Sequence, residues 1–123
     1  MLSTKVHGYL DYLMGLLLIL LPLHPAIPEA ASILLVILGA GVLLYSLITD
    51  YELGLLKILD MKTHLVLNIM GGILLAVSPW LFGFADQLIW PFLVLGIFEV
   101  GAGLFTTRKP PFEANPAHKT TSK

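Results

Sequence analysis

The side chains able to do chemistry in this chain stand at four-residue steps near the start of two apolar runs. In one run His64, Asn68 and Gly72 follow each other at i, i+4 and i+8, and in the other His7, Asp11 and Gly15 do the same. On a helix of about 3.6 residues per turn, each set lines one face. Imidazoles and carboxylates at that spacing can share hydrogen bonds, relay a proton or bind a divalent metal, and paired imidazoles on facing helices can ligate haem. A further carboxylate, Glu99, shares a face with Gly96 at i−3 and Gly103 at i+4. The remaining chemistry is sparse. There is no cysteine, and neither a nucleophile elbow nor a phosphate loop nor a zinc signature is present. Ser78 stands beside a proline without a base, and His24 and His118 have no spaced partner and read as solvated. No catalytic residue and no metal ligand is assigned from these patterns, and the cofactor is left open.

The elements that must position these residues follow from an internal register. Shifting the sequence by 57 residues brings His7 onto His64, Asp11 onto Asn68 and Gly15 onto Gly72. The same shift pairs Lys5 with Lys62, Pro22 with Pro79, Gly39 with Gly96 and Thr49 with Thr106. The chain therefore reads as a two-fold repeat, the first copy at about 4–49 and the second at about 62–106. Its composition, 57% hydrophobic and 12% charged, is too apolar for a soluble core of 123 residues to hide. Lipid is the expected solvent and the bilayer the expected partner. The net charge of −1 gives no basic field for nucleic acid.

Four spans are expected, at about 4–22, 31–49, 63–78 and 90–106. Each is close to the ~20 residues that cross ~30 Å of hydrocarbon. Asp11 lies within the first run, and Pro22-Leu23-His24-Pro25 follows it without a small-x-small cleavage pattern, so it reads as a retained helix and not a signal peptide. Residues 50–61 mix leucines with Glu52, Lys57 and Asp60, which suits either an interfacial helix or an apolar linker on the bundle end. Pro79 is expected to stop the third helix at Ser78, with Trp80 anchored at the lipid headgroups and Gly83 supplying a turn. The domain is 1–106, and the polar, proline-containing stretch 107–123 reads as a disordered tail.

Every Lys and Arg falls at the N-terminus, in the 50–62 connection or in the tail. With alternating spans this puts all positive charge on one side, so both termini are expected in the cytoplasm. An even number of helices per copy makes the two copies parallel, so that the polar sets share a depth. Counted from the helix ends, Asp11 and Glu99 lie roughly 10 to 12 Å deep. Gly15 and Gly72 are expected to bring helices 1 and 3 together, with Gly96 and Gly103 as further helix contacts.

The run HLVLNIMGGILLAVSPWLFGF resembles the SPW-repeat integral membrane family, in which Ser-Pro-Trp ends the first helix of a two-helix unit. Ser78, Pro79, Trp80, Gly83 and Phe84 fit that pattern, with Asn68 and Gly72 upstream, whereas the first copy has Leu21-Pro22-Leu23 in place of the tripeptide. The resemblance covers about 4–106 and implies small bacterial or archaeal membrane proteins with no established reaction. The expected fold is thus an all-α, polytopic membrane four-helix bundle of two parallel two-helix repeats. The leading functional reading is a non-enzymatic structural or accessory module, as a homo-oligomer or in a larger complex. The alternatives are a haem or metal site, or a path for protons, ions or a small substrate, built from His7, Asp11, His64, Asn68 and Glu99.

Overall fold

The computed structural model describes residues 1–109, and the stretch expected to be a disordered tail lies largely outside the described residues, as does His118. The chain is all-helical: α1 (Thr4–Leu20), α2 (Glu29–Ile48), α3 (Met61–Leu81) and α4 (Trp90–Leu104), with a 3-10 turn over Leu21–Leu23. The first three helices are long and apolar enough to cross a membrane, and α4 is apolar but shorter. Leu13, Ile33, Ile37, Leu44 and Met70 point outward, more than half exposed, as lipid-facing side chains would.

The helices pack as two hairpins, α1 on α2 and α3 on α4, with lighter contact between α2 and α3. The expected meeting of α1 and α3 through Gly15 and Gly72 does not occur. Instead, a Cβ on Gly15 would come within 3.0 Å of the Gly39 carbonyl in α2, and one on Gly72 within 2.8 Å of the Gly96 carbonyl in α4. Short connections favour packing between successive helices, and the glycines serve that packing by letting backbones touch. Gly103 likewise seats Ile69 and the Leu65 carbonyl of α3.

The Ser-Pro-Trp stretch does not end α3 where expected. The helix runs through Pro79 to Leu81. Pro79 has no N–H for the Leu75 carbonyl, and the Ser78 hydroxyl donates to that carbonyl at 2.7 Å, filling the gap one residue early. The helix closes one turn later. Phe82 N–H bonds to Ser78 and Phe84 N–H reaches back to Pro79 at 2.8 Å, across Gly83 at φ 78°, a Schellman-type end that needs the glycine. Trp80 stays outward at 56% exposure, while Phe84 turns in, edge to face with Phe92. In the first copy no hydroxyl precedes Pro22, and the α-helix gives way to the 3-10 turn there.

Residues 50–60 form no helix. They fold back as a loop whose N–H groups cap α2: Leu55 and Leu56 bond to the Leu47 carbonyl, and Ile58 and Leu59 to that of Ile48. Lys57 takes a left-handed φ of 52° with its ammonium on the Tyr51 carbonyl. Asp60 then caps α3, accepting from Thr63 N–H. The Thr63 hydroxyl and N–H hold the Asp60 carboxyl below its ordinary range. The cap is therefore fully present above the ordinary carboxylate pKa and fades only as pH falls through the lowered value. Ser3 caps α1 through Val6 N–H in the same manner.

Met14, Leu18, Ala31, Leu35, Leu75, Phe84 and Phe92 form an apolar core drawn from all four helices and the α3–α4 connection. These positions lie toward the end where α1 and α3 finish. The opposite end, where α1 and α3 begin, holds His7, Asp11, His64 and Asn68.

Candidate functional site

Helices α1 and α3 enter from the same end, so one turn in from their starts His7 and His64 meet edge to face, ring centroids 5.3 Å apart. The sequence periodicity is realised: His7 and Asp11 share one face of α1, His64 and Asn68 one face of α3, and all four are fully buried. Asp11 is the hub. Its Oδ2 lies 2.6 Å from His64 Nε2 and 3.1 Å from His7 Nε2, while Oδ1 accepts from Asn68 Nδ2 at 3.3 Å.

Two threonines complete the layer. His7 Nδ1 lies 2.8 Å from the Thr106 hydroxyl oxygen and His64 Nδ1 2.8 Å from that of Thr49. The Tyr45 hydroxyl donates to Asn68 Oδ1 at 2.5 Å. The histidine of each hairpin thus takes the threonine of the other. The same exchange recurs in the backbone, where Leu2 pairs beside Thr106 and Leu59 beside Thr49. The bonds from His7 to Thr106, His64 to Thr49, Asp11 to His64, Asn68 to Asp11 and Tyr45 to Asn68 all run between the hairpins. Where helices meet in lipid, such bonds replace the hydrophobic drive that joins helices in water.

The rings of Tyr45 and Tyr51 close over His64, at 4.8 and 5.5 Å between centroids. Gly8 leaves room for Tyr51, since a Cβ there would lie 2.5 Å from its ring. An apolar groove of about 450 Å³ between α2 and α3 reaches the layer only at Tyr45.

Glu99 is buried at 3% exposure, and its Oε1 has no hydrogen-bond partner. Its Cβ stands against Gly72, one turn along α3 from Asn68. His24 is exposed in the α1–α2 connection, where its Nδ1 accepts from Ala26 N–H. Sequence reasoning missed Thr49, Thr106, Tyr45 and Tyr51 as members of the layer. The signal for the threonines was present, because they pair under the 57-residue shift, but nothing in a periodicity says that a residue at the end of α4 meets one at the start of α1.

Chemically, the layer offers two imidazole nitrogens and one carboxylate oxygen, all buried and within 4.8 Å of one another. With Asp11 between them, the two rings leave no space for a porphyrin, so the haem alternative does not fit this geometry. The sequence profile of the SPW repeat domain matches residues 5–106. No curated protein and no solved structure matches the chain.

Proposed function

The chain belongs to the SPW repeat domain family, and from that starting point we propose that it is a non-enzymatic membrane module, a structural or accessory component whose two hairpins are joined by a buried polar clamp. One observation carries this reading: the hydrogen bonds of the layer cross between hairpins and close on each other, leaving Asp11 and its partners fully buried. A path for ions needs polar groups that face a water-filled cavity. Here the groove beside the layer is apolar and ends on Tyr45. The test is reconstitution of the full-length protein into liposomes with a proton or cation gradient. Flux at the level of protein-free liposomes is expected, for the wild type and for Glu99→Gln alike. Flux above that level that falls in Glu99→Gln would replace the clamp with a relay.

The reading includes the inner membrane of a bacterium, with α4 crossing beside α3 and both termini in the cytoplasm. The charge distribution supports it. Lys5, Lys57, Lys62, Arg108 and Lys109 lie at the end of the bundle that holds the polar layer, and the connections after α1 and α3 contain no Lys or Arg. A cytoplasm-active reporter fused after Lys123 is expected to be active, and the same reporter inserted at Pro25 inactive. The reverse pattern would invert the protein.

A further inference from the structure

Thr49 and Thr106 decide which nitrogen each imidazole turns inward. Each hydroxyl donates to the carbonyl four residues back, Thr49 to Tyr45 and Thr106 to Ala102 at 2.5 and 2.6 Å, and a hydroxyl has one proton to give. Their oxygens therefore accept from Nδ1–H of His64 and His7. An imidazole held through Nδ1–H in this way keeps Nε2 for the inward contact. Both Nε2 atoms are directed at the same oxygen, Asp11 Oδ2. His7 Nε2 makes no hydrogen bond there. In the clamp the His64 Nε2 contact at 2.6 Å is a hydrogen bond to Asp11 Oδ2, and a cation that takes the place of its proton meets the lone pairs of both Nε2 atoms and the carboxylate.

We propose that His7, Asp11 and His64 form a binding site for a divalent transition metal ion, of the two-histidine, one-carboxylate kind. Metal–ligand bonds of about 2.0 to 2.2 Å set neighbouring donor atoms roughly 3 Å apart. The His7 Nε2 to Asp11 Oδ2 separation is 3.1 Å, and His64, at 2.6 Å, needs to draw back by a few tenths of an ångström. Every ligand has the outer support that metal sites use: Thr106 and Thr49 hold the Nδ1–H groups, Asn68 holds Asp11 Oδ1, and Tyr45 holds Asn68. Two imidazoles with one carboxylate suit borderline ions such as Zn(II), Co(II) or Fe(II), and not Mg(II) or Ca(II), which want oxygen alone.

Glu99 lies outside this ligand set. It is a second buried carboxylate with an unpartnered oxygen, placed against Gly72 a turn from Asn68.

The inference rests on reading this layer as the join between hairpins, and the two can fail separately. The full-length protein, made without a polyhistidine tag and stripped with a chelator in detergent, is titrated with Co(II). Visible d–d absorption that saturates at one equivalent and is displaced by Zn(II) is expected. His64→Gln removes a ligand and is expected to abolish the spectrum. Thr106→Val keeps all three ligands, and is expected to weaken Co(II) binding about 10- to 100-fold with helix content unchanged by circular dichroism. Should His64→Gln fail to fold, Thr106→Val carries the test. Helical wild-type protein with no saturable Co(II) spectrum, or Thr106→Val protein binding as tightly as wild type, would overturn the metal site. In the first case absent ion flux would still leave the clamp standing.

Discussion

Asp11→Ala is expected to lower the unfolding free energy of the detergent-solubilised protein by about 2 kcal/mol, the largest loss from any single side-chain truncation in the polar layer. The substitution strands His64 Nε2 and Asn68 Nδ2 together, each fully buried. Leaving a buried donor or acceptor unpaired costs ~1 to 3 kcal/mol in water-soluble proteins. Between membrane helices the value lies near the lower figure, because unfolded helices in lipid also find partners. Two groups at about 1 kcal/mol each give the stated loss. His24→Ala, on an exposed side chain with one local bond, is expected to stay within ~0.5 kcal/mol of wild type. Both are read from unfolding monitored by circular dichroism, with chelator present so that no metal contributes. A loss below about 1 kcal/mol for Asp11→Ala would mean that the layer contributes little to holding the hairpins.

Gly96→Ala is expected to be at least as damaging by a different route. Its new Cβ would stand 2.5 Å from the Ala76 nitrogen and 2.6 Å from the Gly72 carbonyl, both backbone atoms. A side chain can rotate away from such a contact, but a helix backbone has to move as a body, so α3 and α4 must separate along their length. Overpacking of this sort costs ~1 to 3 kcal/mol, and contact with backbone places it at the upper end. Gly71→Ala is the matched control, since its Cβ would meet nothing within 4 Å. There the gain in helix propensity, up to ~1 kcal/mol, acts alone, and the expected result is neutral to stabilising. Equal effects at the two glycines would show that close backbone approach within the second hairpin is not what Gly96 provides.

The chain shows how far a periodic sequence can be read. His7, Asp11, His64 and Asn68 were legible as one inward-facing layer because a 3.6-residue period and a 57-residue register each constrain them. Pairing of helices was not legible in the same way. Gly15 and Gly72 carry the information that a backbone comes close, and the partner, Gly39 or Gly96, follows from which connections are short. Pro79 was misread for a local reason. The rule that proline stops a helix assumes that the carbonyl four residues back goes unpaired, and the Ser78 hydroxyl supplies the missing bond. The serine of Ser-Pro-Trp thus permits the helix to pass the proline, and Gly83 with Phe84 ends it. The 50–61 connection reads equally as an interfacial helix or a linker, and residues 50–60 form a loop because their N–H groups are used on the last carbonyls of α2. The exchange of threonines between hairpins depends on the fold as a whole. Only the register of Thr49 with Thr106 hinted at it.

The join between hairpins is tested most directly by the coupling between Asp11 on α1 and His64 on α3, measured as a double-mutant cycle of unfolding free energies for Asp11→Ala, His64→Ala and the double variant in chelator. A shared bond inside the layer predicts a coupling of about 1 to 2 kcal/mol, with the double variant losing less than the sum of the two single losses. Losses that add to within ~0.3 kcal/mol would contradict it, leaving Asp11 and His64 as neighbours that do not hold the two hairpins together.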